Sequence, residues 1–454
     1  MNRFLHQHLL LPAFETGFKR RATLRYWRDL ERTQWLTRDA VEDLQFQALR
    51  RLIAHAYQRC PYYRTSWDAI GLHPRRLGTP SDLTRWPIIE RETVRTSRVA
   101  MRADNPPLKL ISKATGGSSG VPLQFDLDPD SHDRRAAAWH RGYGWASASP
   151  GTKQLHLWGA PAGTRPLRAR VKDHLYHALY RRRFVSCIDA DGNLAVRFAR
   201  EVNRYRPEAI VAYTNPLFEV ARQIDESGIQ LTFRPASILV GAEKLHAFQR
   251  ETIERVFGAP VFETYGSREF MLIGSECEQH AGLHVTAEHL FVEVLDDNGL
   301  PTSSGQEGNV VITDLYNYGM PFIRYANGDR AIAGFGLCAC GRGLPVLKKV
   351  VGRRLDMLVA TGGRVLPGEF FPHLVKDFPA VRRFQVVQEE TDRVRFALVA
   401  DGMAAVDRQR LEYLVREALG PGVRVDFEPL SNIPLTAAGK LRVVVNHVPH
   451  RRAG

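Results

Sequence analysis

Lys113-Ala114-Thr115-Gly116-Gly117-Ser118-Ser119-Gly120-Val121-Pro122 sets a glycine- and hydroxyl-rich loop directly before the strand-like Leu123–Phe125. Its three glycines allow another group to approach the backbone closely, and Thr115, Ser118 and Ser119 can join exposed N–H groups in holding phosphate oxygens. The loop has neither the Gly-Lys-Ser/Thr ending of a P-loop nor the GxGxxG arrangement of a dinucleotide fold. Taken alone, it is equally readable as a flexible turn.

Downstream of the loop, short apolar strands alternate with helical periodicities. Leu155–Trp158, Ala209–Ala212, Ser237–Val240 and Pro260–Glu263 read as buried strands, with Leu217–Ser227 and Phe248–Phe257 as intervening helices. Such alternation predicts an α/β layer architecture around a largely parallel sheet. His289–Asp296 and Asn309–Asp314, bounded by turn residues, predict a β-rich portion closing the large domain. Upstream, apolar positions at three- and four-residue spacing between Trp27 and Tyr63 predict helices, with Pro61 ending the run and a further short helix near Glu92. Beyond a boundary near Asp356 lies a compact α+β unit: Arg383–Glu389, Arg393–Val399, the helix Val406–Leu419, and Arg424–Pro429. The expected division is a helical portion of the large domain over 1–108, a core over 109–355, and a small C-terminal domain over 356–454.

A chain of 454 residues with 44% hydrophobic content can bury more than one core. Lys and Arg total 63 against 49 Asp and Glu, a net charge of +14 that favours anionic partners without choosing among nucleotide, coenzyme A, RNA and acidic lipid. No nucleic-acid reading module is visible, so no nucleic-acid partner is expected. Five cysteines, an odd number, argue against a secreted disulfide scaffold. No apolar run approaches the roughly 18 residues that span a bilayer. Together these features predict a cytoplasmic protein, with peripheral membrane attachment through its arginines left open.

Five further segments follow the loop in order: Gly241-Ala242-Glu243, Tyr265-Gly266-Ser267-Arg268-Glu269, Pro321 to Asp329, Gly352-Arg353-Arg354-Leu355-Asp356, and Leu435 to Lys440. The ordered set resembles the adenylate-forming superfamily of acyl-CoA synthetases, adenylation domains and luciferases. It is closest to the phenylacetate-CoA ligase and CapK-like branch, and the branch resemblance extends to Tyr57–Tyr63, Trp86-Pro87-Ile88 and Cys277–Glu288. The resemblance implies that Thr115, Gly116, Gly117, Ser118, Ser119 and Gly120 hold the phosphates of ATP. Val121 stands where the family has a lysine, so that part of phosphate neutralisation must come from elsewhere or be weaker, with Arg268 one source and a structural salt bridge its alternative. Gly241, Ala242 and Glu243 correspond to a nucleotide-lining turn, Tyr265 and Gly266 to the adenine and acyl side, and Glu269 to an acid that helps hold Mg2+. Asp329 and Arg353 correspond to ribose recognition, whereas Arg324 is left between phosphate contact and fold support. Asp356 matches the hinge of a mobile lid domain. Lys440 resembles the lysine that reaches the attacking carboxylate and the α-phosphate.

The implied activity is formation of an acyl-adenylate from a carboxylic acid and ATP, followed by transfer to coenzyme A. Transfer to an amine, a hydroxyl or a carrier-protein thiol is the alternative, in secondary-metabolite or surface-polysaccharide biosynthesis; a non-catalytic nucleotide-binding scaffold is the other. Trp139, Tyr143, Tyr213, Asn215, Pro216 and Phe218 are candidates to line an aromatic or apolar acid pocket, or simply to be core. Cys338 and Cys340, with Cys277 and either His280 or His284, are residue types that complete a tetrahedral zinc site, although scattered core cysteines read the same way. The resemblance implies a structural zinc and favours His284, which lies in the Gly-Leu-His segment shared with the branch.

Overall fold

The computed structural model describes residues 5–106, 109–115, 123–158, 167–187, 193–353, 358–361, 365–366, 370–375, 377–378, 380–434 and 441–448. The chain divides into two compact units, one comprising Met1–Asn327 with Ala331–Val350 and the other Gly328–Arg330 with Val351–Gly454.

A hairpin of β1 (Ile111–Ala114) and β2 (Gln124–Leu127) precedes the main sheet, which runs β3 (Gln154–Trp158), β4 (Arg182–Ser186), β5 (Ala209–Tyr213), β6 (Ser237–Gly241), β7 (Val261–Ser267), β8 (Met271–Glu276), β9 (Leu283–Val285), β10 (Leu290–Leu295), β11 (Glu307–Asp314), β12 (Tyr325–Ala333) and β13 (Val346–Arg353) in chain order. Its spatial order is β10-β11-β12-β13-β9-β8-β7-β6-β5-β3-β4. From β4 to β7 every pairing is parallel, and at β7–β8 the sheet turns antiparallel. Side-chain alternation explains why β5 and β6 read as unbroken apolar runs. Ile210, Ala212, Ile238 and Val240 enter one core with Leu217, Ile253 and Phe257 from the crossover helices, while Ala209, Val211 and Leu239 enter another with Tyr143 and Phe262.

On the antiparallel side, helices Arg38–Arg59, Pro61–Asp68 and Arg91–Met101 share one core with β8 to β13. Pro61 ends the first helix, as the sequence predicts, and also starts the second at its first position, where a missing N–H costs nothing. The second helix thereby turns Tyr63 and Trp67 inward, and the Tyr63 hydroxyl donates to the Pro321 carbonyl at 2.7 Å. Arg324 is buried: its guanidinium takes both Glu293 oxygens at 3.1 and 3.0 Å and donates to the Thr84 and Trp86 carbonyls at 3.1 and 2.6 Å. Fold support is therefore its role. The backbone of Ile89 bonds on both sides to the strand at Arg324 and Ala326, both at 2.9 Å.

The second unit carries the short strands β14 (Leu358–Val359) and β15 (Val365–Leu366), then β16 (Val381–Glu390), β17 (Arg393–Ala400), β18 (Arg424–Pro429) and β19 (Val444–Asn446) in the order β18-β17-β16-β19. Leu411, Val415 and Leu419 of helix Ala405–Leu419 pack on Val386, Phe396 and Leu398 of this sheet. Among the described residues no helix is long and apolar enough to cross a membrane.

Candidate active site and metal centre

Residues 116–122, including Gly116, Gly117, Ser118, Ser119 and Gly120, lie outside the described residues, as do Asp356 and Lys440. The base of the loop is described. The Thr115 amide donates to the Leu123 carbonyl at 2.9 Å, and the Leu123 amide donates to Thr115 Oγ1 at 2.9 Å, so the two arms of the β1–β2 hairpin are pinned where the loop begins.

Positive charge converges on that base. Arg91, the first residue of helix Arg91–Met101, donates to Thr115 Oγ1 at 3.2 Å and lies 4.0 Å from a Glu269 carboxylate oxygen. Arg268 donates to the Ala114 carbonyl at 3.3 Å. Burial, together with the charges of Arg268 and Arg135, lowers the Lys113 ammonium below its ordinary pKa. Burial and the Lys113 charge push His132 down to about 4, which keeps that imidazole neutral. Three cations around one strand end make a field suited to a polyanion. Arg91 is not legible as a site residue in the sequence, because only folding brings helix Arg91–Met101 against the hairpin.

Glu269 occupies the turn between β7 and β8. It is buried, it takes a 3.5 Å contact from the Tyr325 hydroxyl, and its carbonyl accepts from Arg135. Arg135 is itself buried against Asp314, and that carboxyl stays below its ordinary pKa: burial would raise it, but the paired guanidinium, His289 and the Tyr316 amide together outweigh burial. The turn is thus fixed through its backbone, and the carboxylate is left beside Arg91. One carboxylate is a fitting protein share for Mg2+, which keeps most of its coordination for water and phosphate oxygens.

Gly241, at the end of β6, and Gly266, in β7, are both glycine because of close approach. A Cβ on Gly241 would stand 2.4 Å from Thr264 Oγ1, and one on Gly266 would stand 2.0 Å from the Met271 carbonyl oxygen. Ala242 takes a positive φ of 68° in the turn after β6. The Glu243 carboxylate accepts the Asn215 amide at 2.8 Å, capping the helix Thr214–Ser227. Tyr265 is buried, and its hydroxyl accepts from Asn327 at 2.7 Å, which fixes the plane of the ring. Asp329 is partly exposed on β12, and Arg353 ends β13, with its side chain outside the described residues. Of the acid-pocket candidates, Trp139 and Tyr143 pack as tilted rings 4.5 Å apart and Tyr213 and Trp158 as tilted rings 4.1 Å apart, within the packing that covers the parallel strands.

Apart from this region, Cys277, His284, Cys338 and Cys340 bring their ligand atoms within 4.8 Å of one another. Cys277 and Cys338 are 3.8 Å apart at sulfur, far beyond a disulfide, and Cys340 Sγ is 3.3 Å from His284 Nε2. Two thiolates on tetrahedral bonds of about 2.3 Å stand about 3.8 Å apart, so the donor set fits zinc. Burial pushes His284 down to about 4, leaving a neutral imidazole with a lone pair to give. His280, four residues before His284, instead contacts Glu276 at 3.2 Å and Arg250 at 3.3 Å. Arg342, two residues past Cys340, lies over Trp35 and Trp145 at 4.8 and 4.9 Å and donates to Gln34 at 3.1 Å.

A family profile described as the CapK C-terminal domain matches residues 358–447. The chain is 25% identical over 450 residues to phenylacetate-coenzyme A ligase of Thermus thermophilus, covering 90% of this chain and 97% of that protein. To protein CapK of Staphylococcus aureus it is 23% identical over 450 residues, covering 95% and 94% respectively. A solved structure of 2-hydroxyisobutyryl-CoA ligase in its postadenylation state has a similar fold, with a TM-score of 0.69 at 18% identity over 89% of each chain. Over 90% or more of its length the chain is thus similar to a phenylacetate-coenzyme A ligase and to CapK, and its residues 358–447 match the CapK C-terminal domain family.

Proposed function

We propose that this protein activates a carboxylic acid with ATP and passes the acyl group to coenzyme A. A carboxylate oxygen attacks the α-phosphorus, the bond to the bridging oxygen breaks, and pyrophosphate leaves with its electron pair; the coenzyme A thiol then displaces AMP from the acyl-adenylate. The observation that carries this reading is the pair of guanidinium groups at the base of the loop, Arg91 on Thr115 Oγ1 and Arg268 on the Ala114 carbonyl, with Glu269 4.0 Å from Arg91. In this reading the loop Thr115–Gly120 binds the triphosphate, Glu269 holds Mg2+ against it, and Tyr265 with the turn Gly241–Glu243 lines the nucleotide. Asp329 and Arg353 take the ribose hydroxyls, and Lys440 arrives from a lid that turns at Asp356. The names of the full-length relatives favour an aryl or otherwise apolar acid and coenzyme A as acceptor.

Cys277, His284, Cys338 and Cys340 form a closed structural zinc site in the same reading, since four protein ligands leave no open position for water to be activated.

Acid-dependent exchange of labelled pyrophosphate into ATP, run over a panel of carboxylic acids, tests the first step. Exchange with at least one apolar or aromatic acid is expected, whereas none with any acid would reduce the protein to a nucleotide-binding scaffold. Exchange without thioester formation would transfer the second step to an amine, hydroxyl or carrier-protein thiol. Arg91→Ala removes a charged hydrogen bond worth about 1.5–3 kcal/mol and should raise KM for MgATP roughly tenfold, with KM for the acid little changed. Equal changes in both constants would remove Arg91 from the phosphate side.

A further inference from the structure

The first helical turns of the chain and a helix near the sheet's far edge together form an apolar face that the activity just described does not use. His6–Leu10 and Ala13–Phe18 are wide helical turns, and they lie against helix Leu167–Leu179. Phe14 meets the rings of Tyr176 and Tyr180 at 6.1 and 6.5 Å, the Tyr180 hydroxyl donates to Glu15, and His6 contacts the Leu179 carbonyl. These contacts use the inward sides of both segments and fix them as one surface.

Their outward sides are apolar. Leu9 is 62% exposed, Phe18 75%, Val171 50% and Leu175 63%. On the helix, Arg168, Val171, Lys172 and Leu175 follow a three- and four-residue spacing that puts all four on one exposed face. Lys19 lies over the Phe14 and Phe18 rings at 5.6 and 5.4 Å, with its charged end beside the most exposed of these apolar groups, and Arg20 next to it is exposed. Glu15, the acid of the Ala13–Phe18 segment, is buried and spent on Tyr180 and Arg21. The result is a patch of large apolar side chains rimmed by Lys19, Arg20, Arg168 and Lys172.

We infer that this face docks on an anionic lipid bilayer. Large apolar side chains entering the headgroup boundary, ringed by lysine and arginine, are the chemistry of interfacial binding, and the long basic side chains can keep their charges at phosphate depth while their stems stay apolar. Charge decides between lipid and a second copy of the chain. A symmetric pair would bring two basic rims together in a protein already at +14, whereas an anionic surface complements them.

Co-sedimentation of the full chain with phosphatidylcholine vesicles, and with mixed phosphatidylcholine and phosphatidylglycerol vesicles, tests the assignment. Binding to the mixed vesicles alone is expected, weakening as salt rises. The double variant Arg168→Gln, Lys172→Gln should bind roughly 30-fold more weakly, from about one charge-equivalent of attraction lost at each position. Phe18→Ser with Leu175→Ser should abolish binding. All four positions are exposed, so circular dichroism should show an unchanged fold. Equal partition of wild type and both variants, or no partition at all, overturns the inference. So does an ultracentrifugation result in which Phe18→Ser, Leu175→Ser dissociates a dimer that shows no lipid binding, which would give the face to a second copy.

Discussion

Lys440→Ala should lower acid-dependent pyrophosphate–ATP exchange by roughly 10²–10³-fold, the cost of removing one preorganised donor from a site of developing charge. The attacking carboxylate and the triphosphate are both anions, and the charge of the pentacoordinate phosphorus is greatest as they meet. A cation there stabilises the transition state more than the separated reactants, so the loss falls on kcat and not only on substrate binding. The second half-reaction supplies the control: when acyl-adenylate is provided ready-made, transfer to coenzyme A should proceed within about twofold of wild type, because the thiol attacks the acyl carbon and no pentacoordinate phosphorus forms in that step. Exchange retained at near wild-type rate by the variant would detach Lys440 from adenylation. Loss of both half-reactions together would point to a folding defect in the second unit.

The metal centre carries the other large effect. Purified protein should contain one zinc per chain, and Cys338→Ser should hold less than about a tenth of that and lose roughly 5–10 °C of thermal midpoint, because metal affinity in such a site is also folding free energy. Cys277 and His284 lie at the junction of β8 and β9, while Cys338 and Cys340 lie between β12 and β13. Losing one thiolate therefore frees two strand connections. His280→Ala is the matched control and should keep its zinc, since His280 is engaged with Glu276 and Arg250. Native protein free of zinc, with Cys338→Ser equally stable, would dismiss the site.

Legibility in the sequence followed the burial of each element. Ala209–Tyr213 and Ser237–Gly241 can be read as strands because both their faces are covered, and helix Ala405–Leu419 because Leu411, Val415 and Leu419 recur at four-residue spacing against one sheet. Strand Arg182–Ser186 is missing from the sequence reading. It begins with two arginines and sits at the edge of the sheet, and its identity comes from parallel pairing with Gln154–Trp158 rather than from any internal pattern. The site shows the same split. Glycine positions and Glu269 are local and readable in an ordered set of segments. Arg91 is not, because its significance lies in a contact with Thr115 across 24 residues and with Glu269 far beyond that. Arg324 stands in a segment that the family resemblance assigns to the nucleotide, so its sequence context is silent on whether it serves ligand or fold. Only its enclosure by Glu293, Thr84 and Trp86 decides for the fold. Spacing alone leaves His280 and His284 equivalent as partners for the cysteines, and the two diverge only where the β8–β9 connection turns one toward Cys340 and the other toward Glu276.

The core that Tyr63, Trp67 and Trp86 share with Phe322 and Tyr325 limits how such a protein can be cut or recombined. A shortened chain beginning after residue 108 would leave β10 to β13 with their aromatic side bare, a sticky fragment in place of a minimal catalyst. Gene fusions, permuted termini and fragment-complementation break points that respect this molecule should keep the opening hundred residues attached to the sheet they cover.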